Sequence, residues 1–161
     1  MTKKLPLLID TDPGVDDALA LLMAFDSPHH DVVALTIAAG NVGLTHTVAN
    51  ALKLCEVAGV DIPVYAGCDA PLLHPAPDAS YVHGRDGFGD IGYIPATKHA
   101  EAEHAALAMI RLSHAHTGEL VMCMLGPMTN LAVALKLDST LPQRIGRMVV
   151  MGGAVTGQGN T

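Results

Sequence analysis

Short runs of Val, Leu and Ile alternate with stretches of helical spacing along nearly the whole chain, and this alternation restricts the possible folds more than any other feature. Leu5 to Ile9, Asp31 to Ala38, Ile62 to Ala66, Leu120 to Leu125 and Met148 to Met151 read as strands. Between them, Ala18 to Phe25, a segment capped by Thr45 and stopped at Gly59, Glu101 to His116, and Met128 to Leu137 read as helices. Strand, helix and strand in that order imply βαβ units, and so an α/β fold with an open, mostly parallel sheet flanked by helices. A chain that is 50% apolar and only 16% charged suits a sheet buried on both faces. The stretch from Gly67 to His99 breaks the pattern. It holds four prolines between Pro71 and Pro95 and a Gly-rich piece from His83 to Gly89, and a loop of that length is commonly functional or disordered.

Ligands of parallel α/β sheets bind beyond the carboxyl ends of the strands, and that is where the chemically informative residues fall. Four aspartates occupy eight positions, Asp10, Asp12, Asp16 and Asp17, where the first strand ends, the chain turns at Pro13-Gly14 and a helix begins. Like charges packed so closely repel, the more so in a low-dielectric pocket. A helix N-terminus offsets only about 0.3–1 kcal/mol per acid, whereas a bound cation would offset far more. As turn and helix-start residues, one or two acids would need no further account; four point to a metal or acid–base site. Asn41 follows the second strand, Gly126 the fourth and Gly152 the fifth, so distant residues would line one crevice.

The donors are carboxylates and main-chain carbonyls, hard oxygens suited to calcium, magnesium or manganese. An EF-hand is excluded because the twelfth position counted from Asp10 is Leu21 rather than Glu. No Walker or GxGxxG phosphate loop is present, and acids stand where such a cradle needs amides and a lysine, which favours a neutral, hydroxyl-rich ligand. A net charge of −7 without a Lys/Arg cluster argues against a nucleic-acid partner. Three cysteines without metal-ligand spacing read as reduced thiols, and no apolar stretch is long enough to span a membrane, so a cytoplasmic protein is expected. Of nine histidines, His29, His30, His99, His104, His114 and His116 fit solvent-facing or capping roles at helix ends and faces. His83 differs, because it opens the Gly-rich loop and is a candidate for the crevice.

Asp10-Thr-Asp-Pro-Gly-Val-Asp-Asp17 resembles the N-terminal signature of the inosine–uridine-type nucleoside hydrolases. The similarity continues, in family order, through Ala39-Gly40-Asn41, Gly67-Cys68, His83-Gly84, Gly126-Pro127-Met128-Thr129-Asn130 and Met151-Gly152-Gly153. The resemblance implies a Rossmann-like nucleoside hydrolase fold and calcium-dependent hydrolysis of the N-glycosidic bond of a ribonucleoside, as in purine and pyrimidine salvage. By the same resemblance Asp12 is the base that activates water and also touches calcium. Asp17 is a bidentate calcium ligand, and the Leu125 carbonyl a third source of metal contact. Asp16 accepts a ribose hydroxyl, Asn41 and His83 lie on the substrate side, Asn160 contacts the ribose 5′-hydroxyl, and Asp10 is a supporting acid. Family members are longer, so residues 1–161 read as one α/β domain forming the N-terminal part of a longer one. The remainder would supply another aspartate ligand, and the full-length protein would be a homodimer or homotetramer.

Two other readings stay open at the level of sequence. A magnesium-dependent phosphohydrolase of the haloacid-dehalogenase type also places Asp-x-Asp after a first strand, with the first aspartate as nucleophile, although Asp16 and Asp17 have no role there. The second is a ribose- or calcium-binding fragment without catalysis.

Overall fold

A computed structural model of the chain describes residues 3–75 and 79–158; Asn160 lies outside them. Five strands, β1 (Leu5–Thr11), β2 (His30–Ile37), β3 (Val64–Ala66), β4 (Val121–Met124) and β5 (Arg147–Val150), form one sheet in the order β3-β2-β1-β4-β5. Every pairing is parallel, as the βαβ alternation implies. The helices are α1 (Val15–Phe25), α2 (Leu44–Ala58), the short α3 (Ser80–His83), α4 (Ala105–Ala115) and α5 (Thr129–Leu137), with a 3-10 turn at Leu141–Arg144.

Side chains alternate across a strand, and β1 shows what that does at the centre of a parallel sheet. Leu8 packs into a cluster with Met109, Leu112, Met122 and Leu131 on the face covered by α4 and α5. Leu7 and Ile9 join Leu21, Leu35, Ala51 and Val64 on the face covered by α1 and α2. Both clusters are built mainly from aliphatic side chains and Met, with Tyr65 an aromatic among their buried members, consistent with aromatics making up only 3% of the chain.

Several boundaries differ from the sequence reading. β1 runs through Asp10 and Thr11 rather than stopping at Ile9, because both are fully buried and stay in register with Thr36 and Ile37 of β2. The first helix starts at Val15, which brings Asp16 and Asp17 into its first turn. Thr45 caps nothing: α2 begins at Leu44 after Gly43, and the buried hydroxyl is Thr47, which donates to the Ala38 and Leu44 carbonyls. The expected helix from Glu101 starts at Ala105, where the His104 ring accepts the Ala106 amide proton as a cap. His30 opens β2 instead of closing a helix. The loop from Gly67 to His99 contains α3, a turn of helix that carries His83.

Candidate active site

Parity along β1 decides how its polar end is distributed. Asp10 points to the same face as Leu8, where α5 delivers Asn130. The Asn130 Nδ2 group donates to Asp10 Oδ2 at 2.9 Å, and the Thr36 hydroxyl of β2 donates to the same oxygen at 2.7 Å. Asn130 Oδ1 accepts the Cys68 amide at 2.8 Å, so one side chain ties the ends of β1 and β3 to α5. Asp10, Thr36 and Asn130 are all fully buried, and Asp10 Oδ1 has no hydrogen-bond partner among the described residues. Burial pushes the Asp10 carboxyl up to about 7, against the pull of Asn130 and Thr36.

Thr11 points the other way, toward α1. Its hydroxyl donates to Asp17 Oδ1 at 2.7 Å, while the Gly14 amide donates to Asp17 Oδ2 at 3.0 Å as part of the helix start. Asp12, first residue of the turn, lies between these two layers and is 6% exposed. The Asn41 amide donates to Asp12 Oδ2 at 2.7 Å, and the Asn41 side chain donates to the Asp12 carbonyl at 2.9 Å and to Asp17 Oδ2 at 3.1 Å. Gly40 and Gly126 approach the same carboxylate so closely that a Cβ would fall 2.1 Å from Oδ2 at Gly40 and 2.6 Å from Oδ1 at Gly126. Any side chain at either position would displace Asp12.

Asp12 and Asp17 help floor a cavity of about 1060 Å³, walled by Val15, Leu19, Ala79, Tyr81, Val82, Leu125, Pro127 and Met151 to Ala154. Asp16, Asn41 and His83 also line it. The Asp16 side chain is 74% exposed and free to meet a ligand, whereas the His83 ring is 12% exposed. The Val15 amide donates to His83 Nδ1 at 3.3 Å, so that nitrogen is the unprotonated one and its 3.9 Å approach to Asp16 is not an ion pair in this tautomer. Leu125 lines the wall, and its amide donates to the Asp10 carbonyl at 2.8 Å.

The structure thus gathers Asp12, Asp16, Asp17, Asn41, His83 and Leu125 around one cavity, and it sets Asp10 apart, behind the cavity floor. Sequence reasoning assigned no role to Thr11, Thr36, Asn50 or Asn130. The period of two in β1 carries a signal for Thr11, which must face the helix bearing Asp17. Nothing in sequence marks Asn50, which sits mid-helix in α2.

Burial, and then the charge of Asp17, raise Asp12 to about 7; burial also raises Asp17, against hydrogen bonds from Gly14 and Thr11. Two buried carboxylates, Asp12 raised by burial and by Asp17, and Asp17 by burial and by Asp16, with no Lys or Arg along the cavity wall among the described residues, fit a hard cation. Among the described residues no three His, Cys, Asp or Glu side chains converge on one point. The donors at hand are therefore Asp12, Asp17 and main-chain oxygen. Asp17 Oδ2 already accepts two bonds and Oδ1 one, so a carboxylate with about four lone-pair sites has its free capacity on Oδ1. Bidentate binding would require the Asn41 side chain to release Oδ2.

An open parallel α/β sheet with an acidic cavity at its carboxyl edge is the architecture of a small-molecule enzyme site rather than of a polymer-binding surface. The chain belongs to the inosine-uridine preferring nucleoside hydrolase family, which it matches over residues 7–161. It is 41% identical over 156 residues to uridine nucleosidase 1 of Arabidopsis thaliana, covering 96% of this chain and 46% of the relative. A solved plant nucleoside hydrolase superposes with a TM-score of 0.90 at 38% identity, covering 94% of this chain and 49% of that one. A purine-preferring ribonucleoside hydrolase from Gardnerella vaginalis superposes with a TM-score of 0.88 at 34% identity, over 92% and 49% of the two chains. The chain spans about half the length of the relatives it matches. Membership in this family disfavours the haloacid-dehalogenase alternative, and so does the geometry. Asp10, the nucleophile in that scheme, is fully buried with Oδ2 tied to Thr36 and Asn130.

Proposed function

We propose that this chain carries the carboxylate side of a nucleoside hydrolase active site, which cleaves the N-glycosidic bond of a ribonucleoside to ribose and free base. The observation that supports the reading most is Asp12: a nearly buried carboxylate at the floor of the cavity, with a geometry fixed by Asn41 and two glycines and, in the metal-free site, a proton affinity that burial raises toward neutrality. A general base works best with a pKa near the operating pH. Asp12 accepts the proton of the attacking water while the C1′–N bond breaks and the base leaves with the bonding electrons. Positive charge grows on the ribose as that bond lengthens, as in other glycoside hydrolyses, and the carboxylates of Asp16 and Asp17 lie beside it and stabilise it. Asp16, exposed in the cavity, accepts a ribose hydroxyl. Thr11 and Asn41 hold Asp17 and Asp12 so that neither reorients during the reaction.

Calcium is the cation this reading assigns, held by Asp12, Asp17 and the Leu125 carbonyl, with the rest of its six to eight oxygens coming from water, ribose hydroxyls or residues outside this chain. When bound, it would lower the pKa of its water and orient the ribose diol.

Free-base release from uridine and inosine tests the proposal in a protein of full family length. Asp12→Asn is expected to fold normally and lose roughly 10²–10⁴ in turnover, the usual weight of a general base. His83→Ala should be milder, since it touches the wall and not the water. Turnover of the Asp12 variant within a few-fold of the parent would overturn the assignment, and phosphate release from a generic phosphoester would revive the haloacid-dehalogenase reading.

A further inference from the structure

Asn50 lies on α2, outside the cavity lining, and is fully buried, yet both of its polar side-chain atoms are used, by two other segments. Its Nδ2 group donates to the Pro13 carbonyl at 3.0 Å, inside the aspartate turn, and to the Asp86 carbonyl at 2.9 Å, inside the Gly-rich loop. Its Oδ1 accepts the hydroxyl of Tyr93 at the far end of that loop. Gly87 presses on the same group: its φ is +82°, and a Cβ there would stand 2.7 Å from Asn50 Nδ2 and 3.3 Å from the Pro13 carbonyl. Only glycine satisfies both the left-handed backbone and the close approach.

The loop itself is a preformed unit. Asp86 Oδ1 accepts the amides of Phe88 and Asp90, Asp90 Oδ1 accepts those of Arg85 and Asp86, and the Gly89 amide donates to the His83 carbonyl at 2.7 Å. The Phe88 and Tyr93 rings pack at 5.7 Å between centroids. A unit that is rigid within itself moves as one body, so whatever holds Asp86 and Tyr93 also sets where His83 stands. At its other end the ring of His83 meets Gly14 and accepts the Val15 amide, the first free donor of α1.

We infer that Asn50 and Tyr93 are positioning residues, which lock the Gly-rich loop to the aspartate turn and thereby place His83 against the start of α1. The inference rests on the nucleoside hydrolase reading only in treating His83 as a substrate-side group, and its test uses no turnover. Arg85 supplies the probe, because its side chain is exposed in the loop and offers a trypsin site within the unit. In a protein of full family length, Tyr93→Phe removes one hydroxyl and keeps the ring. It is expected to speed native-state cleavage after Arg85 about ten-fold, the effect of weakening one buried hydrogen bond on a local opening. Cleavage after Lys136 on α5 and the melting temperature should stay unchanged. Amide exchange at Val15, read by NMR, should accelerate by a similar factor. Asn50→Ala should exceed both effects; if it does not fold, the Tyr93 variant decides alone. Unchanged Arg85 cleavage and Val15 exchange in Tyr93→Phe would overturn the lock. Equal acceleration at Arg85 and Lys136 would also overturn it, since that is the mark of a global loss of stability.

Discussion

Asp12 and Asp17 illustrate how a single carboxylate gains function from its immediate neighbours. Neither is buried by accident: Thr11, Gly14 and Asn41 supply the donors that make burial tolerable, and Gly40 and Gly126 supply the space. The consequence is a pH dependence of unusual sign. Asp10 and Asp12 titrate near 7 in the fold, against about 3.9 for an unperturbed aspartate, so the native state holds protons that the unfolded chain has already released. Their contribution to stability is complete below about pH 4 and is lost as pH rises through 7. In the presence of a chelator the melting temperature is therefore expected to fall between about pH 4 and 7, and Asp12→Asn should flatten that fall. Calcium binds only the ionised carboxylates, so it should raise the melting temperature most at the alkaline end of the range. Asp17→Ala should abolish that rise; a calcium response that survives in this variant would remove Asp17 from the ligand set.

At the scale of elements, the site is a meeting of strand ends, and Asn130 is the side chain that joins most of them. Truncating it leaves the Asp10 carboxylate with one donor and the Cys68 amide with none, both next to the core. Asn130→Ala should cost about 1–3 kcal/mol, the penalty for a buried polar group left unpaired, measured as a shift in denaturant midpoint at constant slope. A loss below about 0.5 kcal/mol would mean that water replaces the amide without cost. The same elements show what the sequence discloses and what it withholds. The parallel sheet and the carboxyl-edge location of the aspartates are legible because periodicity and turn chemistry are local. The extension of β1 through Asp10 and Thr11 is not, because a buried aspartate in a strand is tolerated only through Thr36 and Asn130, the latter 120 residues away. For the same reason Asp10, read as one of a cluster of four, proves to stand behind the cavity rather than in it. Asn50 is hidden for a related cause, since its three partners lie about 36 to 43 residues away, in the aspartate turn and the Gly-rich loop.

For the molecule as a whole, the exposed apolar surface is concentrated. Met148, Val149 and Val150 on β5, with the adjacent Met151, are 39–62% exposed at the edge of the sheet, and Val15, Leu19 and Met23 form an exposed stripe along α1. An unpaired apolar edge strand invites association. Residues 1–161 on their own are expected to sediment or scatter as species larger than the 16.7 kDa monomer and to release no base from inosine or uridine. A monodisperse, active monomer would contradict both expectations. No helix among the described residues is long and apolar enough to cross a membrane. The order of strands also sets a timetable. β1 is the middle strand and the first to be synthesised, but one of its two neighbours is β4 and the amide that holds Asp10 belongs to Asn130. At about 5–20 residues per second, the ribosome takes roughly 6–24 s to travel from one to the other. Through that interval the aspartate turn is without Asn130 and β4, and the cavity wall at Leu125 to Pro127 has yet to be made.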